Sequence, residues 1–120
     1  MKQIDPLTAA DQVTQILKKG AFLTTSYADK NNTMTIGWGS IGFIWGKPIF
    51  MVMVRKSRYT WSLIEKSQEF TVSVPTHDMS DALKLCGTKS ARDIDKFKAA
   101  GLTAQKGQQL DTPVIAGAGM

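Results

Sequence analysis

The chain has 120 residues, 42% of them hydrophobic and 21% charged, a balance that suits one folded domain around a single core and excludes disordered and fibrous classes. Fifteen Lys and Arg against ten Asp and Glu leave a formal charge of +5, which favours anionic ligands without choosing between a phosphorylated small molecule and nucleic acid. A lone cysteine, Cys86, and a lone histidine, His77, exclude an internal disulfide and a Cys/His zinc cluster, and the lack of an apolar leader or membrane-length run points to a cytoplasmic protein.

Leu7, Ala10, Val13, Ile16 and Leu17 recur at helical spacing behind Pro6, predicting an amphipathic helix that Gly20 stops. Ala21 to Tyr27 reads as a strand, Ala28 to Asn32 as a polar turn, Thr33 to Ile44 as one long strand, Trp45 to Pro48 as a second turn and Ile49 to Arg55 as an apolar strand. On that last strand Met51 and Met53 share one face and Phe50, Val52 and Val54 the other, so both faces are expected to be buried, the methionines as core filling. Ser57 is placed to cap a helix reaching about Lys66. Glu69 to Val74 alternates as a strand closed by Pro75, and Met79 to Cys86 is expected to be a short helix ended by Gly87. Ser90, with Asp93 three residues on, resembles a capping box opening a helix through Phe97 to Gly101, and a final strand is expected at Thr112 to Ile115. Hairpins outnumber crossovers, which predicts a mainly β fold, an antiparallel barrel decorated by short helices.

Gly37-Trp38-Gly39-Ser40-Ile41-Gly42 matches the G-x-G-x-x-G pattern of dinucleotide-binding folds, but that motif works only where a helix opens inside it, and here a turn and a second strand follow. Gly37 and Gly39 fall on one strand face, where a missing side chain marks the close approach of another group. Two groups qualify: a flat ring lying on the bare backbone, or a tightly packed second strand. Arg55-Lys56-Ser57-Arg58-Tyr59-Thr60 then brings cations and hydroxyls to a helix start, an arrangement able to hold a phosphate, although an N-cap with exposed arginines would read the same way. Cys86-Gly87-Thr88-Lys89-Ser90 resembles the tail of a P-loop without its upstream glycine or strand, so ATP binding is not indicated; Lys89 and Ser90 form a second anion-friendly loop. Lys18, Lys19, Lys96, Lys98 and Lys106 are assigned to solvated faces. A flat ring with an anionic tail is the ligand these segments suit, and flavin mononucleotide (FMN) fits best.

Taken in order, Thr33 to Ser40, Lys47-Pro48-Ile49, Val54 to Thr60, Phe70 to Pro75 and Cys86 to Phe97 resemble the flavin reductase-like family and its flavoredoxin branch. The resemblance covers nearly the whole chain. It implies an FMN-binding split β-barrel in one domain over residues 1–120, commonly a homodimer with flavin near the subunit interface. It places Asn32, Thr33, Trp38, Gly39 and Ser40 near the isoalloxazine and ribityl chain, Arg55, Ser57, Arg58 and Thr60 at the phosphate, and Lys89 and Ser90 on the flavin from the later loop. Two features depart from the family: Ala91 stands where relatives carry glycine, and relatives continue with further strands beyond Ile115, so the chain is expected to be C-terminally short.

The expected activity is that of an FMN-dependent oxidoreductase with NAD(P)H as hydride donor, in which the flavin does the chemistry and no side chain is needed as acid or base. His77 and Cys86 are assigned structural roles. A non-enzymatic FMN carrier served by a redox partner protein is the alternative. A basic barrel binding nucleic acid through Trp38, Trp45 and Trp61 is the third and weakest, because the tryptophans lie apart from the lysines.

Overall fold

The computed structural model describes residues 3–90 and 92–120. In chain order its elements are α1 (Pro6–Leu17), β1 (Ala21–Tyr27), β2 (Lys30–Ile36), β3 (Gly39–Ile44), β4 (Lys47–Val52), α2 (Tyr59–Ser67), β5 (Thr71–Ser73), α3 (Ser80–Thr88), α4 (Lys96–Ala100), β6 (Ala104–Gln105) and β7 (Val114–Ile115). Helices take up about as much chain as strands, so the fold is mixed rather than mainly β. The strands form three antiparallel sheets, β2-β1-β5, β3-β4 and β6-β7, which do not join into a closed barrel among the described residues.

Helix α1 starts where Asp5 caps it, the carboxylate accepting from the Leu7 amide at 3.1 Å and the Thr8 hydroxyl at 3.0 Å, with Pro6 where its missing N–H is not needed. The expected turn of Ala28 to Asn32 contracts to Ala28-Asp29, with φ of 52° and 61°, the two left-handed residues whose twist suits a tight hairpin. β1 and β2 then pair from Ala21↔Ile36 to Tyr27↔Lys30. The long strand expected from Thr33 to Ile44 is two strands in different sheets, because the chain leaves the first sheet at Gly37-Trp38. A second two-residue turn, Trp45-Gly46 with φ of 60° and 75°, joins β3 to β4, and Pro48 is tolerated because this hairpin has no inner strand.

β1 separates two apolar clusters. Ala21 and Leu23 point to one, with Val13, Leu17, Met34, Ile36 and Val74; Phe22 points to the other, with Leu83, Cys86, Ile115 and Ala118. The β3-β4 hairpin lays Ile41, Phe50 and Val52 on the first cluster, but its outer face is bare, with Met51 54% and Met53 64% exposed. The methionines are therefore not core filling in this chain: apolar residues on both faces of a strand are buried twice only where a second layer covers them.

Three helix boundaries differ from expectation. α2 is preceded by an extended Arg58 without a side-chain cap rather than by Ser57. α3 runs through Gly87 to Thr88, because that glycine lets the helix approach β2 closely, with a Cβ there only 3.3 Å from Thr35 Cβ. α4 begins at Lys96 under an Asp95 cap that accepts from the Lys98 amide at 3.3 Å, leaving Ser90 to organise a turn in which its hydroxyl accepts from the Arg92 amide at 3.2 Å. Ala91 lies outside the described residues.

Candidate functional site

The start of α2 and the end of α3 face each other across a cavity of about 270 Å³ lined by Ser57, Arg58, Tyr59, Thr60, Gly87, Thr88, Lys89, Ser90, Arg92 and Lys96. Apart from the glycine, every lining side chain is a cation or carries a hydroxyl, and none is a carboxylate. Local structure explains the convergence. The Arg58 amide donates to the Arg55 carbonyl at 3.0 Å, a turn that brings the chain from β4 into α2 and sets Ser57 to Thr60 along the cavity wall. Across from it, the Arg58 guanidinium donates to the Gly87 carbonyl at 3.3 Å and the Cys86 carbonyl at 3.4 Å, satisfying carbonyls at the negative end of α3.

Lys96 was expected on a solvated face and is instead buried, 3% exposed, with Nζ donating to the Cys86 carbonyl at 3.0 Å. Burial first, and then the neighbouring Arg58 charge, push its ammonium down to about 8. Burial likewise pushes the Cys86 thiol up, against a smaller lowering by Lys96. The sequence held no signal for this lysine: α4 is one short turn, and what buries Lys96 is the tertiary approach of α3.

Asn32, on β2, reaches Thr60 of the cradle from outside its lining. Its Nδ2 donates to Thr60 Oγ1 at 2.7 Å, while its Oδ1 is buried with no partner among the described residues. A buried acceptor left unpaired is costly. Asn32 also lines a larger cavity, about 900 Å³, whose wall includes Tyr27, Tyr59, Phe97, Arg92 and Lys96. Tyr59, Arg92 and Lys96 belong to both cavities, and the Arg92 guanidinium lies 5.1 Å over the Tyr59 ring. Thr33 is fully buried and committed to the sheet, its hydroxyl accepting from Thr24 at 3.1 Å and donating to the Leu23 carbonyl at 3.2 Å.

Trp38, Gly39 and Ser40 line a different cavity, about 500 Å³, together with Gly37, Leu17, Met51 and Met53. None of its lining residues is shared with the cradle. At Gly39 the missing side chain is accounted for by the protein itself, since a Cβ would lie 2.7 Å from the Met51 carbonyl oxygen and 3.1 Å from Phe50 Cε1. Gly37 is open by contrast, with only the Leu17 carbonyl oxygen near, at 3.9 Å. Arg55 is exposed and is not among the residues lining the cradle. Of the residues that the resemblance assigns to the phosphate, Ser57, Arg58 and Thr60 line the cradle and Arg55 does not; Lys89 and Ser90, assigned to the flavin from the later loop, line it too, Asn32, assigned to the ring and ribityl chain, lines the larger cavity, and Arg92 and Lys96 had been given no role.

A family model described as the flavin reductase like domain matches residues 16–120. An uncharacterised protein of Archaeoglobus fulgidus is 31% identical over 94 residues, covering 78% of this chain and 52% of its own length. Among solved structures, the flavoredoxin of Desulfovibrio vulgaris (Miyazaki F) superposes with a TM-score of 0.74 at 28% identity, over 82% of this chain and 54% of that one. The FMN-binding domain of a flavin reductases-like enzyme from Shewanella baltica shares the fold, with a TM-score of 0.73 at 23% identity over 91% of this chain and 60% of that one. The chain spans about half the length of the relatives it matches, 52% of the first and 54% of the flavoredoxin. Matched along most of its length, it belongs to the flavin reductase-like family, on the flavoredoxin branch.

Proposed function

We propose that the chain is an FMN-binding domain of a flavin reductase-like oxidoreductase that takes reducing equivalents from NAD(P)H in the cytoplasm. One observation carries the reading: a cradle lined by four cations and five hydroxyl-bearing side chains, without a carboxylate, at a helix start. That donor set suits a phosphate monoester, which accepts charge-assisted hydrogen bonds on every oxygen. The residues fit the tail of FMN, and the unpaired Asn32 Oδ1 beside Thr60 offers a buried acceptor to a donor group farther along the ligand. When bound, the flavin supplies hydride and electron transfer.

In this reading Ser57, Arg58, Thr60, Lys89 and Ser90 hold the phosphate, with Arg55 adding positive potential from outside the cradle. Asn32 anchors Thr60, and Thr33 keeps β2 in register beside it. Trp38, Gly39 and Ser40 serve the ring side on the β3-β4 hairpin, next to the exposed Met51 and Met53. A second copy of the chain covering that apolar face would make the functional unit a homodimer and bring the ring side to the subunit boundary. No side chain is assigned as acid or base.

Titration of the purified protein with FMN and with riboflavin tests the proposal: quenched flavin fluorescence and a stoichiometric visible absorption band are expected, with FMN held the tighter. Absence of both signals rejects it. The likeness to a flavoredoxin favours a second reading, an electron carrier served by a redox partner, and steady-state NAD(P)H oxidation separates the two. Turnover identifies the reductase; tight FMN without turnover identifies the carrier.

A further inference from the structure

The end of the β3-β4 hairpin has no part in the cradle. Phe43 to Pro48 are all exposed, and three of them are large and apolar, Phe43 at 64%, Ile44 at 51% and Trp45 at 93%. Register sets Phe43 and Pro48 on the same face as Ile41 and Phe50, which pack on the first apolar cluster, and sets Ile44 and Lys47 on the outer face with Met51. Phe43 thus faces the side of the core and is still exposed, so the last residues of the ribbon project past the body of the molecule. Apolar side chains occupy the inner face, the outer face and the turn between them. A protein seated on one face would leave the opposite residue in water, whereas a medium that surrounds the tip covers all three.

Charge says which medium. Between Asp29 and Glu65 there is no acidic residue, while Lys30, Lys47, Arg55, Lys56 and Arg58 are all basic. Lys47 stands directly across from Ile44, beside Trp45, and a lysine there can lay its stem on an apolar layer and keep its ammonium at phosphates. Tryptophan prefers the boundary between headgroups and acyl chains. The two-residue turn, Trp45-Gly46, also leaves fewer backbone groups unpaired than a longer loop would, which lowers the cost of leaving water. We propose that the β3-β4 tip is a peripheral membrane anchor, which enters the headgroup layer of an anionic lipid bilayer with Phe43, Ile44 and Trp45 while Lys47 pairs with lipid phosphate. The contact lies on the bilayer, since no helix among the described residues is long and apolar enough to cross one, and three apolar side chains with nearby cations make it weak and reversible. It does not depend on the FMN reading. The second copy considered above is argued from Met51 and Met53, and Trp45 lies roughly 16 Å of strand beyond Ser40, the partner of Met51.

The test is co-sedimentation of the purified chain with vesicles of phosphatidylcholine alone and of equal parts phosphatidylcholine and phosphatidylglycerol. Tryptophan emission is followed with brominated lipid as quencher. Wild type is expected on the anionic vesicles, less so as salt rises, with tryptophan quenched. Trp45→Asn should lose about tenfold in vesicle affinity together with most of the quenching; its φ of 60° is one that Asn adopts readily, so the turn survives. Phe43→Ser, where φ is not positive, should lose affinity independently, and Lys47→Gln about fivefold on anionic vesicles only. No binding by wild type, or binding that Trp45→Asn and Phe43→Ser leave unchanged, overturns the proposal. Trp45→Asn turning a dimer into a monomer in light scattering without lipid also overturns it, by giving the tip to a second copy.

Discussion

Arg58 serves two neighbours at once, tying the last carbonyls of α3 to the start of α2 and presenting its charge to the cradle. Arg55, three residues earlier, makes the turn through its carbonyl and leaves its guanidinium in water. The two should therefore separate in binding. Arg58→Gln is expected to weaken FMN about tenfold more than riboflavin, and Arg55→Gln by about twofold or less, since an exposed charge is screened; calorimetric titration of both flavins checks this. Lys96 makes a second prediction, for the unliganded protein. Its ammonium is lowered from the ordinary 10.5 to about 8, so between those values the unfolded chain binds the proton more tightly than the folded one. Stability contributed by this residue then rises with pH across that window, while its burial penalty is fully present below about 8. Lys96→Met should accordingly hold a constant stability difference from wild type below about 8 and shift in wild type's favour as the pH climbs above it, read by urea melts at several pH values.

At the scale of elements, the glycines of β3 tell a packed backbone from an open one. Gly39→Ala forces a Cβ to within 2.7 Å of the Met51 carbonyl oxygen and should cost about 1–3 kcal/mol by overpacking the hairpin. Gly42→Ala, with nothing within 4 Å, should leave the unfolding free energy nearly unchanged. Both follow from chemical denaturation of the unliganded protein. The hairpins themselves were legible in the sequence because alternation and turn residues are local: β1 was read at its observed bounds, Ala21–Tyr27. The break between β2 and β3 was not, because a chain that moves from one sheet to the next through Gly37-Trp38 keeps its strand-like alternation on both sides. The start of α4 was misplaced for a related reason. Ser90 and Asp95 both offer capping side chains, and the choice between them was made by the contact of Lys96 with the end of α3. Ser57, Arg58, Thr60, Lys89 and Ser90 could be singled out because hydroxyls and cations cluster at element ends. That Trp38 and Gly39 would line a separate cavity depended on a sheet boundary the pattern did not mark.

For the whole molecule the outer face of the β3-β4 hairpin matters most. Ile44, Met51 and Met53 are 51%, 54% and 64% exposed, with Trp38 beside them at 66%, and a two-stranded ribbon with an uncovered apolar face has little stability by itself. If a second copy covers it, Met51→Glu should convert a dimer to a monomer in light scattering and weaken flavin on the ring side, for FMN and riboflavin alike.

β1 has a different consequence. It is hydrogen-bonded on both edges from Phe22 to Thr24 and divides the two apolar clusters, Leu23 facing one and Phe22 the other. Splitting the β2-β1-β5 sheet between the clusters requires parting this strand from a neighbour, whereas the β3-β4 ribbon can lift off the first cluster without doing so. The amide hydrogens of β1 should thus exchange with deuterium only when the entire chain unfolds, while those of β3 and β4 exchange earlier through fraying of the ribbon. The most durable backbone in the molecule would then lie outside the lining of the cradle, with the more mobile ribbon left free to adjust around whatever settles on it.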